Sequence, residues 1–333
     1  MNKEQEQFYN FLRDSGKYDD EQLDQIQESL AFGFSTDQVR TFADPEFNPD
    51  QMEVISNAFA SRLTMDQIKI FADPKYDSEQ MSVISDAMDE GLSSDQVRIF
   101  ADPKYAPWQM NQIHWGLYDG LSEDQVRMYA DPKYDARQMH TLRHGLQDGL
   151  TTDQVAVFAD PKFDAGQMIE ILNGLEHGLS EDQIKMFADP KYDSYQMRSL
   201  RLGLEQGLTS DQIAVFADPK YDDRQMKQIC FGFLDGLSMD QIKIYIDPAF
   251  GDDQMAQIRM EIYDGLSSDQ VRTFADPSIS ADQMHDKGEI LKKQNMYNMR
   301  TKLEEQNAHK SKVQPERKSV RVKPPVQRTG KSR

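Results

Sequence analysis

The chain has 333 residues, with 38 Lys and Arg against 57 Asp and Glu, for a formal net charge of −19. A surface this acidic repels nucleic-acid backbones and anionic membranes over most of its area unless the charge is unevenly spread. Hydrophobic residues at 38% are few for a compact globule and too many for a wholly disordered chain.

The single cysteine, Cys230, excludes an intramolecular disulfide and any Cys-x-x-Cys zinc site. The N-terminal MNKEQEQFYNFLR lacks the apolar core of a signal peptide, and no apolar run approaches a membrane span of roughly 20 residues. A soluble, cytoplasmic protein with no membrane partner is expected.

In chain order, residues 1–32 read as a degenerate N-terminal capping repeat, because KYDDEQLDQIQESLAF (17–32) matches the second half of the unit that follows. From 33 to 293 an Asp-Gln dipeptide recurs every 29 residues, from Asp37 to Asp269, which defines nine full repeats. Residues 294–307 are expected to form a terminal helix that caps the open end, and 308–333 a basic disordered tail.

One unit, residues 91–119, reads GLSSDQVRIFADPKYAPWQMNQIHWGLYD. Ser93 and Gln96 stand in the relation of a capping box, with Leu92 and Val97 as the hydrophobic staple. A short helix begins there, its apolar side running on through Phe100 and Ala101 until Pro103 stops it. A second box follows at once, as at Asp135 and Gln138 one repeat later. Pro49 and Pro107 occupy the first position of this second helix, where a missing N–H costs nothing.

The second helix carries an apolar stripe at Met110, Ile113 and Leu117 and ends at a glycine such as Gly120 followed by Leu121. Each unit is thus a helical hairpin too small to bury its own apolar set, so units must stack. The expected fold is all-α, an α-solenoid of nine two-helix repeats with caps at both ends. The GLS-x-DQ lead and the FADPKYD-x-x-QM phrase resemble repeats in proteins carried on bacterial conjugative elements. That resemblance implies a bacterial, mobile-element setting and a helical-repeat fold, and it brings no activity or catalytic residues.

If constant positions build the scaffold, function is sought where units differ. In the second helix they differ at the residue before Gln-Met and three, seven and ten residues on, all on one face well away from the core stripe. The third unit has Trp108, Asn111, Trp115 and Tyr118 there; the fourth has Arg137, His140, His144 and Gln147. Tyr195, Arg198 and Leu202 follow in the sixth, Arg224, Lys227 and Phe231 in the seventh, Met260 and Tyr263 in the eighth. The first two units offer only small or acidic groups, such as Asp50, Ala60 and Asp89.

Aromatic and arginine side chains on an exposed face are the composition of interaction hot spots. The expected function is therefore a non-catalytic scaffold for a protein or extended peptide. The alternative is a single-stranded nucleic-acid-binding helical repeat, with Arg137, Arg143, Arg198, Arg201, Arg224 and Lys227 beside Trp115, Tyr195 and Phe231. A mobile-element accessory factor tethered to nucleic acid by its tail is the other form of that alternative.

Residues 292–333 hold 13 basic and 3 acidic groups, a local charge of +10 against −29 for the rest. His140 and His144, one turn apart, could share a metal, but no third ligand is compelled by the sequence and HGLQDGL is not H-E-x-x-H. No cofactor, metal or catalytic residue is expected.

Overall fold

The computed structural model describes the backbone of residues 1–313, with side chains as far as His309. The described residues contain twenty helices and no strand. Helices α1 (Lys3–Asp14) and α2 (Asp20–Phe32) are followed by pairs of one short and one long helix. The pairs are α3 (Thr36–Val39) and α4 (Pro49–Ala60), α5 (Met65–Ile68) and α6 (Ser78–Asp89), and α7 (Ser94–Val97) and α8 (Pro107–Tyr118). Next come α9 (Glu123–Arg127) and α10 (Ala136–Gln147), α11 (Thr152–Ala156) and α12 (Ala165–Glu176), and α13 (Glu181–Ile184) and α14 (Ser194–Glu205). The last are α15 (Ser210–Ala214) and α16 (Asp223–Leu234), α17 (Met239–Ile242) and α18 (Asp252–Tyr263), and α19 (Ser268–Arg272) and α20 (Ala281–Val313). The described residues form two compact units, one of Met1–Met226 and one that begins at Lys227.

Local chemistry sets each element. At α7 the Ser93 Oγ accepts from the Gln96 N–H at 3.3 Å and the Gln96 Oε1 accepts from the Ser93 N–H at 2.9 Å, so two orphan donors are satisfied reciprocally. Regular helix ends at Val97, not at Phe100 or Ala101 as the apolar pattern predicts. The N–H groups of Ile99 and Phe100 reach back only three residues, to the Gln96 and Val97 carbonyls at 3.1 Å. That tightened turn sends Phe100 fully into the core beside Val97. In the Ala-Asp-Pro phrase the Asp102 Oδ1 accepts from the Lys104 N–H at 3.0 Å, an Asx turn that re-aims the chain toward α8.

The long helices stop where the sequence predicts. Gly120 takes φ 92°, and the Leu121 N–H bonds the Gly116 carbonyl at 2.9 Å, closing the helix with a left-handed residue. Position 294, where the next stop glycine would fall, is Gln294. Here both the glycine and the apolar residue that follows the stop in the other repeats are missing, replaced by Gln294 and Asn295, and α20 continues as one helix from Ala281 to Val313. The terminal helix expected at 294–307 is therefore part of a longer one, and 308–313, expected to be disordered, is helical. The rest of the tail lies outside the described residues.

In the first unit the long helices pack in chain order, α2 on α4, α4 on α6, and so on to α12 on α14, the arrangement of an α-solenoid. Met110, Ile113, Met139 and Leu142 are fully buried between them. The constant polar residues interlock the repeats. The Gln109 Nε2 donates to the carbonyls of Pro132 and Tyr134, at 3.1 and 2.5 Å, in the next repeat. The Tyr105 hydroxyl donates to the Ala130 carbonyl at 2.7 Å. The same glutamine clamp recurs from Gln22, Gln51, Gln80, Gln138, Gln167 and Gln196. Turn carbonyls that a solenoid would otherwise bury unpaired are thereby satisfied.

In the second unit Gln254 clamps Pro277 and Ile279 in the same way, and α18 packs on α20. There Glu261, 1% exposed, stands where earlier long helices have glycine, alanine or, in α2, serine. The Lys292 Nζ of α20 neutralises it at 3.0 Å and also meets Asp264 at 2.7 Å. Gly288 lies over the carboxylate, where any side chain would collide.

Candidate binding face

Most of the variable positions of the long helices are exposed. Trp108 is 67% exposed and Tyr118 57%, at opposite ends of α8. Arg137, His140 and His144 on α10, Tyr195 and Arg198 on α14, and Arg224 are exposed in the first unit, whereas Asn111 and Leu202 are half-buried. In the second unit Lys227, Phe231, Met260 and Tyr263 are exposed.

Three of these helices shape a groove of about 820 Å³ in the first unit. Trp108 of α8 forms one wall, Arg137 and His140 of α10 rise in the middle, and Ile169 of α12 closes the other side. The groove exists because Ala136, Ala165 and Gly166 are small at the start of α10 and α12. A smaller hollow of about 210 Å³ continues along α10 and α12 between His144 and Glu176.

Sequence spacing did not show that several basic side chains are already committed. The Arg143 Nη1 donates to Gln147 at 3.0 Å and to Asp119 at 3.4 Å, and its Nε to Gln112 at 3.3 Å. Its guanidinium also lies 5.7 Å from the centre of the Trp115 ring, so one face of that indole is engaged by the next repeat. Arg201, with a side chain only 6% exposed, is held by Glu170 at 2.9 Å and Glu205 at 2.6 Å. In the second unit Arg259 repeats the arrangement, paired with Asp235 and stacked 5.5 Å from Phe231.

Arg143 and Arg201 are therefore neutralised structural cations and not free contacts for phosphate. The signal for two of these pairs was in the sequence: Arg143 and Arg259 each have an aspartate 24 residues earlier. His114 follows the same rule with Glu90, at 2.9 Å, and is buried against α6 rather than offered to a partner.

Electrostatics favour a neutral imidazole at His140. Partial burial, then the charge of Arg143 and His144, holds its pKa below the ordinary histidine value. The neighbouring His144 meets Asp148 at 2.7 Å, and the Glu176 carboxylate of α12 joins them, the three ligand atoms lying within 4.8 Å of one another. The third and fourth potential donors that the sequence does not compel are thus supplied by a helix cap and by the next repeat. Cys230 is buried, with its thiol pKa pushed up to about 11 by burial, which suits packing and not nucleophilic chemistry.

No protein-family model, curated protein or solved structure matches the chain. Among the described residues no helix is long and apolar enough to cross a membrane.

Proposed function

We propose that the protein is a non-catalytic helical-repeat scaffold of nine stacked units that captures a protein or extended peptide on the variable face of its long helices. The observation that carries this reading is the exposure of Trp108 beside the groove bounded by Arg137, His140 and Ile169. Large aromatics left in water next to a concavity contribute area at low entropic cost when a partner covers them, and arginine adds directional hydrogen bonds. The constant residues support the same division of labour, since their hydrogen bonds are used within and between repeats and leave recognition to the variable positions. A bacterial mobile-element context rests on the resemblance of the FADPKYD-x-x-QM phrase alone.

The test is selection of displayed peptides on the full-length protein, followed by affinity measurement on variants. Trp108→Ala and Arg137→Glu should each weaken selected peptides at least tenfold, while Glu79→Ala, on α6 of the second repeat, leaves them unchanged. Equal binding by all variants would place the interaction elsewhere. Salt-steep binding of single-stranded DNA that survives deletion of residues 314–333 would instead favour the nucleic-acid alternative.

A further inference from the structure

We propose that His144, Asp148 and Glu176 form a site for a divalent transition-metal ion of the Zn²⁺ or Co²⁺ type, with His140 one turn away as a further donor. The site lies at the end of the groove and joins two successive repeats. His140, His144 and Asp148 follow one another at four-residue intervals along α10 and its cap, so they share a face. The imidazoles of His140 and His144 are 5.9 Å apart, centre to centre. Glu176 enters from α12, and its carboxylate oxygen, the Asp148 oxygen and a His144 nitrogen lie within 4.8 Å of one another.

Donors bound to a four-coordinate Zn²⁺ at about 2.0–2.2 Å sit roughly 3.3–3.6 Å apart. The three side chains are exposed and free to rotate, so an ion can draw their atoms from within 4.8 Å to that spacing. The charge balance points the same way. Two carboxylates converge on one imidazole, and neither Asp148 nor Glu176 has a Lys or Arg ion-pair partner among the described residues. A cation relieves that repulsion; a lone exposed histidine–aspartate pair does not need Glu176 at all.

The mixed nitrogen and oxygen donor set suits Zn²⁺ and Co²⁺, and it is too poor in oxygen for Ca²⁺, which takes six to eight. Bound there, the ion ties α10 to α12 and fixes the width of the groove. With the three cluster residues as ligands, the fourth tetrahedral position is left for His140, for water or for a partner's side chain.

The experiment is titration of the untagged, chelator-treated full-length protein with Co²⁺, read by visible absorption, and with Zn²⁺, read by calorimetry. One ion per chain is expected, with Zn²⁺ displacing Co²⁺ and a tenfold excess of Ca²⁺ failing to compete. His144→Ala and Glu176→Gln should each weaken binding at least tenfold with unchanged helical circular dichroism. His177→Gln, which alters a histidine paired with Glu205 outside the cluster, should bind as the parent does. Absence of saturable one-to-one binding, or undiminished affinity in both cluster variants, would overturn the assignment.

Discussion

The side-chain Nε2 of Gln138 donates to the carbonyl oxygen of Phe163, in the next repeat, at 2.6 Å, while the Oε1 of the same amide accepts from the Asp135 N–H that starts α10. One residue therefore caps its own helix and fastens the following hairpin. Gln138→Ala removes both functions and leaves a buried carbonyl unpaired, at an expected cost of about 2–3 kcal/mol. Gln96→Ala, which loses a capping bond at an exposed helix start, should cost about 1 kcal/mol. Urea unfolding of the two variants checks the difference; equal losses would mean that the clamp contributes nothing.

Gly116 faces the hydroxyl of Tyr129, and a Cβ there would overlap it. The first two repeats carry Ala58 and Ala87 at this position, and there the matching aromatics are Phe71 and Phe100, which lack the hydroxyl. Gly116→Ala is therefore expected to cost about 2 kcal/mol in the parent and much less in a Tyr129→Phe background. A thermal-unfolding double-mutant cycle tests this, and additive effects would contradict it.

Arg62 stands at the helix-stop position that other repeats give to glycine, and it is the one described non-glycine residue with positive φ, at 70°. A side chain in the left-handed region costs roughly 1 kcal/mol. Arg62→Gly should accordingly raise stability by about that amount, seen as a higher urea midpoint at an unchanged m-value. A fall in the midpoint would show that the arginine makes a compensating contact.

Cys230 is buried, with a thiol pKa of about 11. A raised pKa means less thiolate at any given pH below it, so reactivity falls. Alkylation at pH 8 is expected to run about a hundredfold slower than for a free thiol and to recover fully in denaturant. Fast labelling of the native protein would show that the site opens.

Local features were legible in the sequence because they act within a few residues. The capping boxes at Ser93 and Asp135, the Gly120 stop and the Met110, Ile113 and Leu117 stripe all stand where spacing put them. The clamp of Gln138 was not legible, since its partner is 25 residues away and a capping role already accounted for the residue. Arg143 and Arg201 read as surface cations because their helical offset resembles the variable stripe. The carboxylates that neutralise them lie partly on neighbouring helices, and only packing brings them together. The long α20 is legible only in part: the apolar residues near the end of the repeats point to a terminal helix over 294–307, but that it is continuous with the last repeat's long helix, from Ala281 to Val313, depends on the missing stop glycine at Gln294.

Both tryptophans of the protein, Trp108 and Trp115, lie on the variable face, so tryptophan emission, excited at a wavelength where tyrosine does not absorb, reports on that face alone. The most direct measurement is a fluorescence titration of the full-length protein with a peptide selected on it, run in parallel with calorimetry. Capture on this face predicts a blue shift and a saturating intensity change with the calorimetric dissociation constant, both reduced in Trp108→Phe. Calorimetric binding with no change in tryptophan emission would contradict the assignment of the groove as the recognition surface.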